Sequence, residues 1–183
     1  MLNDERRVNG DPARPVPLTE LGREEARRLG LQIMALELDL CLHTRFGRTR
    51  ETAEIAMAGR DVPVQVEPLL DDVDVGALEG RTVDEYRAWK REHTRNDAFP
   101  GGESLNDAAR RYAEAFRRLA RSDRGCLIAV CHEIPIRYAL NALADSDELD
   151  GPTHGIPNAT PFLFGDEALF CAAERIEELV RLS

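Results

Sequence analysis

Residues 125–140 read GCLIAVCHEIPIRYAL. Leu127 to Val130 is a short apolar run with two β-branched residues, the pattern of a buried strand covered on both faces. The run stops at Cys131 and His132. Pro135 then stands where the first turn of a helix tolerates a missing N–H, and Ile136, Ala139, Leu140 and Leu143 recur at helical spacing. The stretch is therefore strand, abrupt turn, helix, with His132 at the carboxyl end of the strand. Ligands of open α/β sheets bind at that edge, and the N–H groups opening the following helix favour an anion there.

The same alternation runs along the chain. Residues 1–17 are polar, with Asn9-Gly10, Asp11-Pro12 and further prolines, and read as loop. Thr19 is a candidate N-cap for a helix reaching about Glu37. Residues 38–42 form a candidate strand ending in HTRFGR, and a helix follows from Thr49 to Met57. Residues 62–66 are a strand with Pro63 near its entry, as at a sheet edge. The segment EPLLDDVDVGALEG (67–80) is an acidic loop. Thr82 and Glu85 have the spacing of a capping box, and residues 104–120 carry an apolar helical stripe. His93 lies in a polar connection and is expected to be exposed. Phe162–Phe164 and Ala168–Cys171, separated by Gly165-Asp166-Glu167, suggest a terminal hairpin. Neither an internal repeat nor a linker is evident, so residues 1–183 are expected to form a single domain, an α/β fold of layers.

Composition excludes several function classes. With 43% hydrophobic and 32% charged residues the chain has the make-up of a globular domain. No apolar run is long enough for a bilayer, so no membrane partner is expected. A net charge of -10 argues against nucleic acid. Cys41, Cys126, Cys131 and Cys171 form no CxxC pair, and read as small hydrophobes rather than a disulfide frame or a metal site. The start MLNDERR lacks a basic-then-apolar leader, and a cytoplasmic location is expected.

Arg48, Asp72 and His132 all fall at the carboxyl ends of predicted strands or in the loops after them. A guanidinium fork suits a phosphoryl group. Histidine can act as nucleophile or proton carrier near neutral pH, and a carboxylic acid can protonate a leaving oxygen. The set suits phosphoryl transfer without metal or cofactor.

On these residues the chain resembles the histidine phosphatase superfamily, which includes the phosphoglycerate mutases. PLTELGREEARRLG (17–30) resembles the family's first helix signature. RTRETAEIA (48–56) is similar to the motif carrying its second phosphate-binding Arg, at Arg48. LLDDVDVGALEG (69–80) resembles the loop of its acid, at Asp72. FPGGESLNDAARRYAEAF (99–116) is similar to its substrate-side loop and helix, and AVCHEIPIR (129–137) to the segment of its second catalytic His, at His132. Asn158-Ala159-Thr160 matches the small residues that come after that segment in the family. The resemblance implies a three-layer α/β sandwich with a mostly parallel central sheet flanked by helices, and a small phosphorylated substrate. Asn3, Arg7 and Asn9 would line the mouth. Monomer and homodimer stay equally open.

Three departures qualify it. The family's nucleophile is the His of an Arg-His-Gly motif closing the first strand, and residues 2–10 resemble the family's segment immediately downstream of that motif. The chain is thus expected to lack that first central strand, leaving two unpaired strand edges, and to be active only with an upstream segment restored. Asp72 stands where the family usually has Glu, so Asp74 could serve instead. Glu133 replaces the usual Gly after the His, where it would repel an anion, point away, or act as the proton donor. A phosphatase is expected over a dedicated mutase, with a catalytically inactive phosphate-binding protein as the alternative.

Overall fold

The computed structural model describes residues 7–183. Its elements in chain order are α1 (Glu20–Gln32), β1 (Leu40–His43), α2 (Gly47–Ala56), β2 (Val64–Val66), α3 (Val83–Glu92), α4 (Leu105–Ala120), β3 (Leu127–Val130), α5 (Glu133–Leu143) and α6 (Asp166–Leu182). Two 3-10 turns, Pro68–Leu70 and Gly76–Leu78, shape the acidic loop. Capping residues set the helix starts. Thr19 Oγ1 accepts from the Gly22 N–H, and Thr82–Glu85 and Ser104–Asp107 are complete capping boxes.

The strands lie in the order β2-β1-β3, all parallel, with Cys41 opposite both Val64 and Ile128. Parallel neighbours place the carboxyl ends of β1 and β3 side by side, and with them the starts of α2 and α5. On one face of the sheet Cys41, Ile128 and Val130 pack with Leu29, Ile33, Ala53 and Met57 of α1, α2 and their ends. Gly30 allows that close approach: a Cβ there would sit 2.9 Å from the Ala56 carbonyl oxygen. On the other face α4, α5 and α6 share a core rich in alanine, with Ala108, Ala109, Ala113, Ala172, Ala173 and Ile176 all fully buried. Small side chains at the crossing let α4 and α6 pack tightly along their length.

Three expectations are corrected. The terminal hairpin is instead α6. Gly165 takes the N-cap, Asp166 and Glu167 place negative charge in the first turn, and Ala172, Ala173, Ile176, Leu179 and Val180 bury one helical face. Residues 162–164 precede it outside any strand, with Leu163 91% exposed. The first helix stops at Gln32 rather than near Glu37, because turns at Ile33 and Leu36 end it and Arg60 donates to the carbonyls of both. The sheet also does not open around a gap: β1 and β3 hydrogen-bond directly, so both edges expected to be unpaired reduce to the outer side of β3. Among the described residues that side has no strand partner, and β3 is only half-buried where Leu40 to Leu42 of β1 are buried. His93 is exposed, as expected, with its ring stacked on Trp89 at 4.0 Å.

Candidate functional site

Sequence places Arg48 in the first turn of α2 and His132 at the N-cap of α5, and the β1–β3 pairing brings these two turns together. Arg48 Nη2 lies 3.1 Å from His132 Nδ1, 3.1 Å from Asp72 Oδ2 and 3.2 Å from the Asn9 carbonyl oxygen. One nitrogen with two hydrogens thus serves three acceptors, while Nε and Nη1 of Arg48 make no hydrogen bond among the described residues. The Phe46 ring holds the guanidinium from one side, 4.3 Å away, and meets the His132 imidazole edge-on at 4.6 Å. Burial pulls the Arg48 pKa down and Asp72 pulls it up; a guanidinium remains charged in either case.

His132 is 7% exposed. Burial, reinforced by Arg48, holds its pKa well below the ordinary histidine value, so the ring is neutral at pH 7. Nδ1 and Asp72 Oδ2 stand 3.6 Å apart, too far for a hydrogen bond. On the other side of the ring Nε2 is 2.9 Å from Thr44 Oγ1, which is 2.7 Å from Thr49 Oγ1. For Asp72, burial raises the pKa of the carboxyl group against the opposing pull of Arg48.

The loop carrying Asp72 is fastened from α4. Arg111 donates to the carbonyls of Leu69 and Asp71 at 2.9 Å and of Asp72 at 3.3 Å, and the Tyr112 hydroxyl to Asp71 O at 3.0 Å. Asp71, buried beside it, accepts from Arg45 through both backbone and side chain. Gly102 brings the 99–103 turn against the same loop; a Cβ there would fall 2.3 Å from Asp74 O. Residues 7–10 run beside 79–82, with Val8 N–H to Arg81 O at 2.9 Å and Gly10 N–H to Glu79 Oε2 at 2.7 Å. That pairing delivers Asn9 to Arg48. The Asn9 Oδ1 atom is buried without a partner among the described residues.

The sequence-based set therefore divides. Arg48, Asp72, His132 and Asn9 converge. Asp74 lines the cleft but turns one carboxylate oxygen to the Gly76 N–H. Glu133 is half-exposed and pairs with Arg137 at 3.3 Å, so it points away from the Arg48 cluster. Arg7 is exposed and donates to Gly80 O, on the 79–82 side rather than in the cleft. Asn3 lies outside the described residues. Sequence reading missed Thr44, Thr49, Arg111 and Glu79. Thr44 directly follows β1, a position that itself marks the functional edge, whereas Arg111 sits in a helix whose charged side looks like ordinary solvent-facing surface.

A cleft of about 580 Å³ opens over Asp72 and Phe46, lined by Asp11, Arg45, Asp74, Glu79, Glu103 and Arg111 among others. Its arginines are already paired, Arg45 with Asp71 and Arg111 with Glu103. The lining is consequently acidic, and Arg48 stands outside it, paired with the lining residue Asp72.

Comparison with known proteins agrees with this geometry. The model of the histidine phosphatase superfamily (branch 1) matches residues 2–162. The chain belongs to the histidine phosphatase superfamily. It is 34% identical over 116 residues to the Probable phosphoglycerate mutase GpmB of Cronobacter sakazakii, covering 60% of this chain and 53% of that protein. Against the corresponding Salmonella choleraesuis protein the figures are 29% over 140 residues, with 73% and 59% covered. The chain thus spans a little over half the length of these curated relatives. Among solved structures, Bacillus stearothermophilus YhfR superposes with a TM-score of 0.70 at 30% identity, covering 90% of this chain and 81% of that one. The alpha-ribazole phosphatase of Shigella flexneri shares the fold, with a TM-score of 0.70 at 23% identity over 81% and 76% of the two chains. No helix among the described residues is long and apolar enough to cross a membrane.

Proposed function

We propose that this chain is the body of a phosphomonoester hydrolase of the histidine phosphatase type, acting on a small phosphorylated metabolite. The observation that carries the reading is Arg48: a half-buried guanidinium with two nitrogens unused among the described residues, set between a neutral His132 and a carboxyl group of raised pKa. In this reading Arg48 and His132 hold the phosphoryl oxygens, and Asp72 protonates the leaving alcohol. The attacking nitrogen belongs to a histidine from a strand preceding residue 2, which forms a phosphohistidine that water then hydrolyses. Two observations support that assignment. Among the described residues His132 is the one histidine in the cluster, and the outer side of β3 has no strand partner beside it.

The acidic rim favours phosphatase over mutase chemistry. Asp11, Asp74, Glu79 and Glu103 would repel a second anionic group on the substrate, including the carboxylate of a phosphoglycerate. Neutral phosphomonoesters are expected to be better substrates. A phosphate-binding protein without turnover is the second reading, favoured for residues 7–183 taken alone because only one histidine stands at Arg48.

The test is the intact mass of the protein made in its own cells, followed by exposure to a labelled phosphomonoester. A longer chain that acquires acid-labile, base-stable label supports the hydrolase. A longer chain with a second histidine at the cleft and no label sinks it in favour of the binding protein.

A further inference from the structure

Arg48 Nη2 carries two hydrogens and faces three neighbours: His132 Nδ1 at 3.1 Å, Asp72 Oδ2 at 3.1 Å and the Asn9 carbonyl oxygen at 3.2 Å. No hydrogen on that nitrogen is left for a ligand. Asp72 Oδ2 also stands 3.6 Å from His132 Nδ1, so one carboxylate oxygen lies against both groups that would hold an oxyanion. The Phe46 ring covers the guanidinium from one side and meets the imidazole edge-on. An anion that is to touch Arg48 Nη2 and His132 together must therefore displace one of the present neighbours.

Those neighbours are held with very different firmness. The Asn9 carbonyl belongs to a backbone segment tied on both sides, by Val8 N–H to Arg81 O, by Gly80 N–H to Val8 O and by Gly10 N–H to Glu79. Gly10 is wedged so closely that a Cβ there would fall 2.6 Å from Val73 O. The His132 ring is buried and held at Nε2 by Thr44 at 2.9 Å. The half-buried Asp72 side chain has, besides Arg48, a hydrogen bond only from the N–H of the next residue, Val73, at 3.1 Å. Arg111 pins the backbone under it at the Asp71 and Asp72 carbonyls, so the carboxylate can turn while the loop stays. There is room for that turn. Asp72 lines the cleft of about 580 Å³, whereas Arg48 and His132 do not, which places the carboxylate between the cleft and that pair.

We propose that Asp72 is a displaceable plug: in the unliganded chain its carboxylate occupies the oxyanion seat at Arg48 and His132, and an incoming oxyanion exchanges with it, turning the carboxyl group into the cleft.

This rests on reading Arg48 and His132 as the oxyanion site. The exchange replaces one anion by another at the same donor, so the Arg48 charge is paired before and after it. The ligand must first break the Arg48–Asp72 pair, and its apparent affinity falls by the fraction of molecules in which the seat is open. The exchange also places the acid. The displaced carboxyl group lies on the cleft side of the bound anion, the side toward which the alcohol part of a phosphomonoester has space to extend.

The test is calorimetric titration of the full chain with sulfate near neutral pH. Asp72→Ala should bind sulfate about tenfold more tightly than wild type or better, the order of one charge-assisted hydrogen bond that no longer has to be broken. Asp74→Asn removes the same charge from the exposed cleft wall and keeps an acceptor for the Gly76 N–H, so its affinity should stay within about threefold of wild type. Adding Arg48→Ala to Asp72→Ala should abolish the gain. Sulfate binding to wild type with no tighter binding to Asp72→Ala overturns the plug and leaves the oxyanion site standing. A gain equally large in Asp74→Asn, or one that survives Arg48→Ala, overturns it too, because the effect is then one of general charge. Sulfate binding to neither wild type nor Asp72→Ala overturns the plug together with the oxyanion site. Should Asp72→Ala not fold, Asp72→Asn keeps the size, gives up the charge and is read in the same way, with an expected gain of about threefold or more.

Discussion

Two clusters in this protein are built from the same parts and do opposite things. In one, Arg95 uses its whole fork: Nε to Asn106 Oδ1 at 3.1 Å, Nη1 to Asp150, and Nη2 to the Tyr138 hydroxyl at 2.8 Å. Arg137 closes it with 2.8 Å to Asp150. In the other, Arg48 crowds three acceptors onto one nitrogen and leaves two nitrogens without a partner among the described residues. The Arg95 cluster ties α4, α5 and the 144–157 loop together, so its donors are spent on the fold. The Arg48 cluster stands at strand ends, and its donors are held in reserve. A half-buried arginine is therefore diagnostic of function here through what it does not bond among the described residues.

Removing each arginine should separate the two roles. Arg48→Ala is expected to weaken inorganic phosphate binding by about 100-fold, the order of two charge-assisted hydrogen bonds, with the fold retained by circular dichroism. Calorimetric titration checks this, and unchanged affinity would mean the oxyanion binds elsewhere. Arg95→Met should do the reverse. It leaves Asp150 short of its closest cation and costs about 3 kcal/mol of stability, a drop in Tm of roughly 6–12 °C, while phosphate affinity stays within twofold. Thermal unfolding with the same titration would show whether both effects fall on one variant, which would erase the distinction.

Acid should act on the Arg48 cluster through its two titrating members with opposite signs. His132 has a folded pKa below its unfolded value, so the stability from keeping it neutral is present above about pH 6.5 and is lost as pH falls toward the folded value. Asp72 has a raised folded pKa, so its contribution is present below about pH 4 and is lost as pH rises through the folded value. As pH falls below 6.5 the His132 contribution declines at up to about 1.4 kcal/mol per pH unit for one proton, opposed by Asp72 wherever both titrate. Urea unfolding between pH 5 and 7 should show His132→Gln losing that slope, and an equally steep slope in the variant would place the titrating group elsewhere.

How much of this is readable from sequence obeys the same division. The functional edge announces itself locally: apolar runs that stop at His43-Thr44 and Cys131-His132, each leading into a helix start, need no tertiary information beyond parallel pairing. The caps at Thr19, Thr82 and Ser104 are local too. What sequence does not disclose depends on partners distant in the chain. Arg95 and Asp150 lie 55 residues apart, each in a polar segment that looks like solvated loop. Arg111 pins a loop 40 residues before it. The mistaken hairpin has the converse cause. Phe-Leu-Phe and Ala-Leu-Phe-Cys carry a strand-like apolar density, but the helix is decided by residues 172–180, which bury against α4. Glu133 looks like a group in the anion site because of its neighbour in sequence. The first residue of a helix points around the turn from its cap, and Arg137, one turn on, pairs with it instead.

That last point is the smallest effect and the sharpest check on where one cluster ends and the other begins. Glu133 adjoins His132 in the chain, yet its carboxylate pairs with Arg137, which belongs to the Arg95 cluster through Asp150. Glu133 is half-exposed, and an i,i+4 pair of this kind contributes about 0.3–0.5 kcal/mol. Glu133→Gln should accordingly lower stability by no more than that, and the loss should vanish in high salt. Phosphate affinity should stay within twofold, since the groups contacting Arg48 and His132 are untouched. Were affinity to rise tenfold in the variant, Glu133 would be acting on the anion at close range, and the boundary between the two clusters would have to be drawn on the far side of α5's first turn.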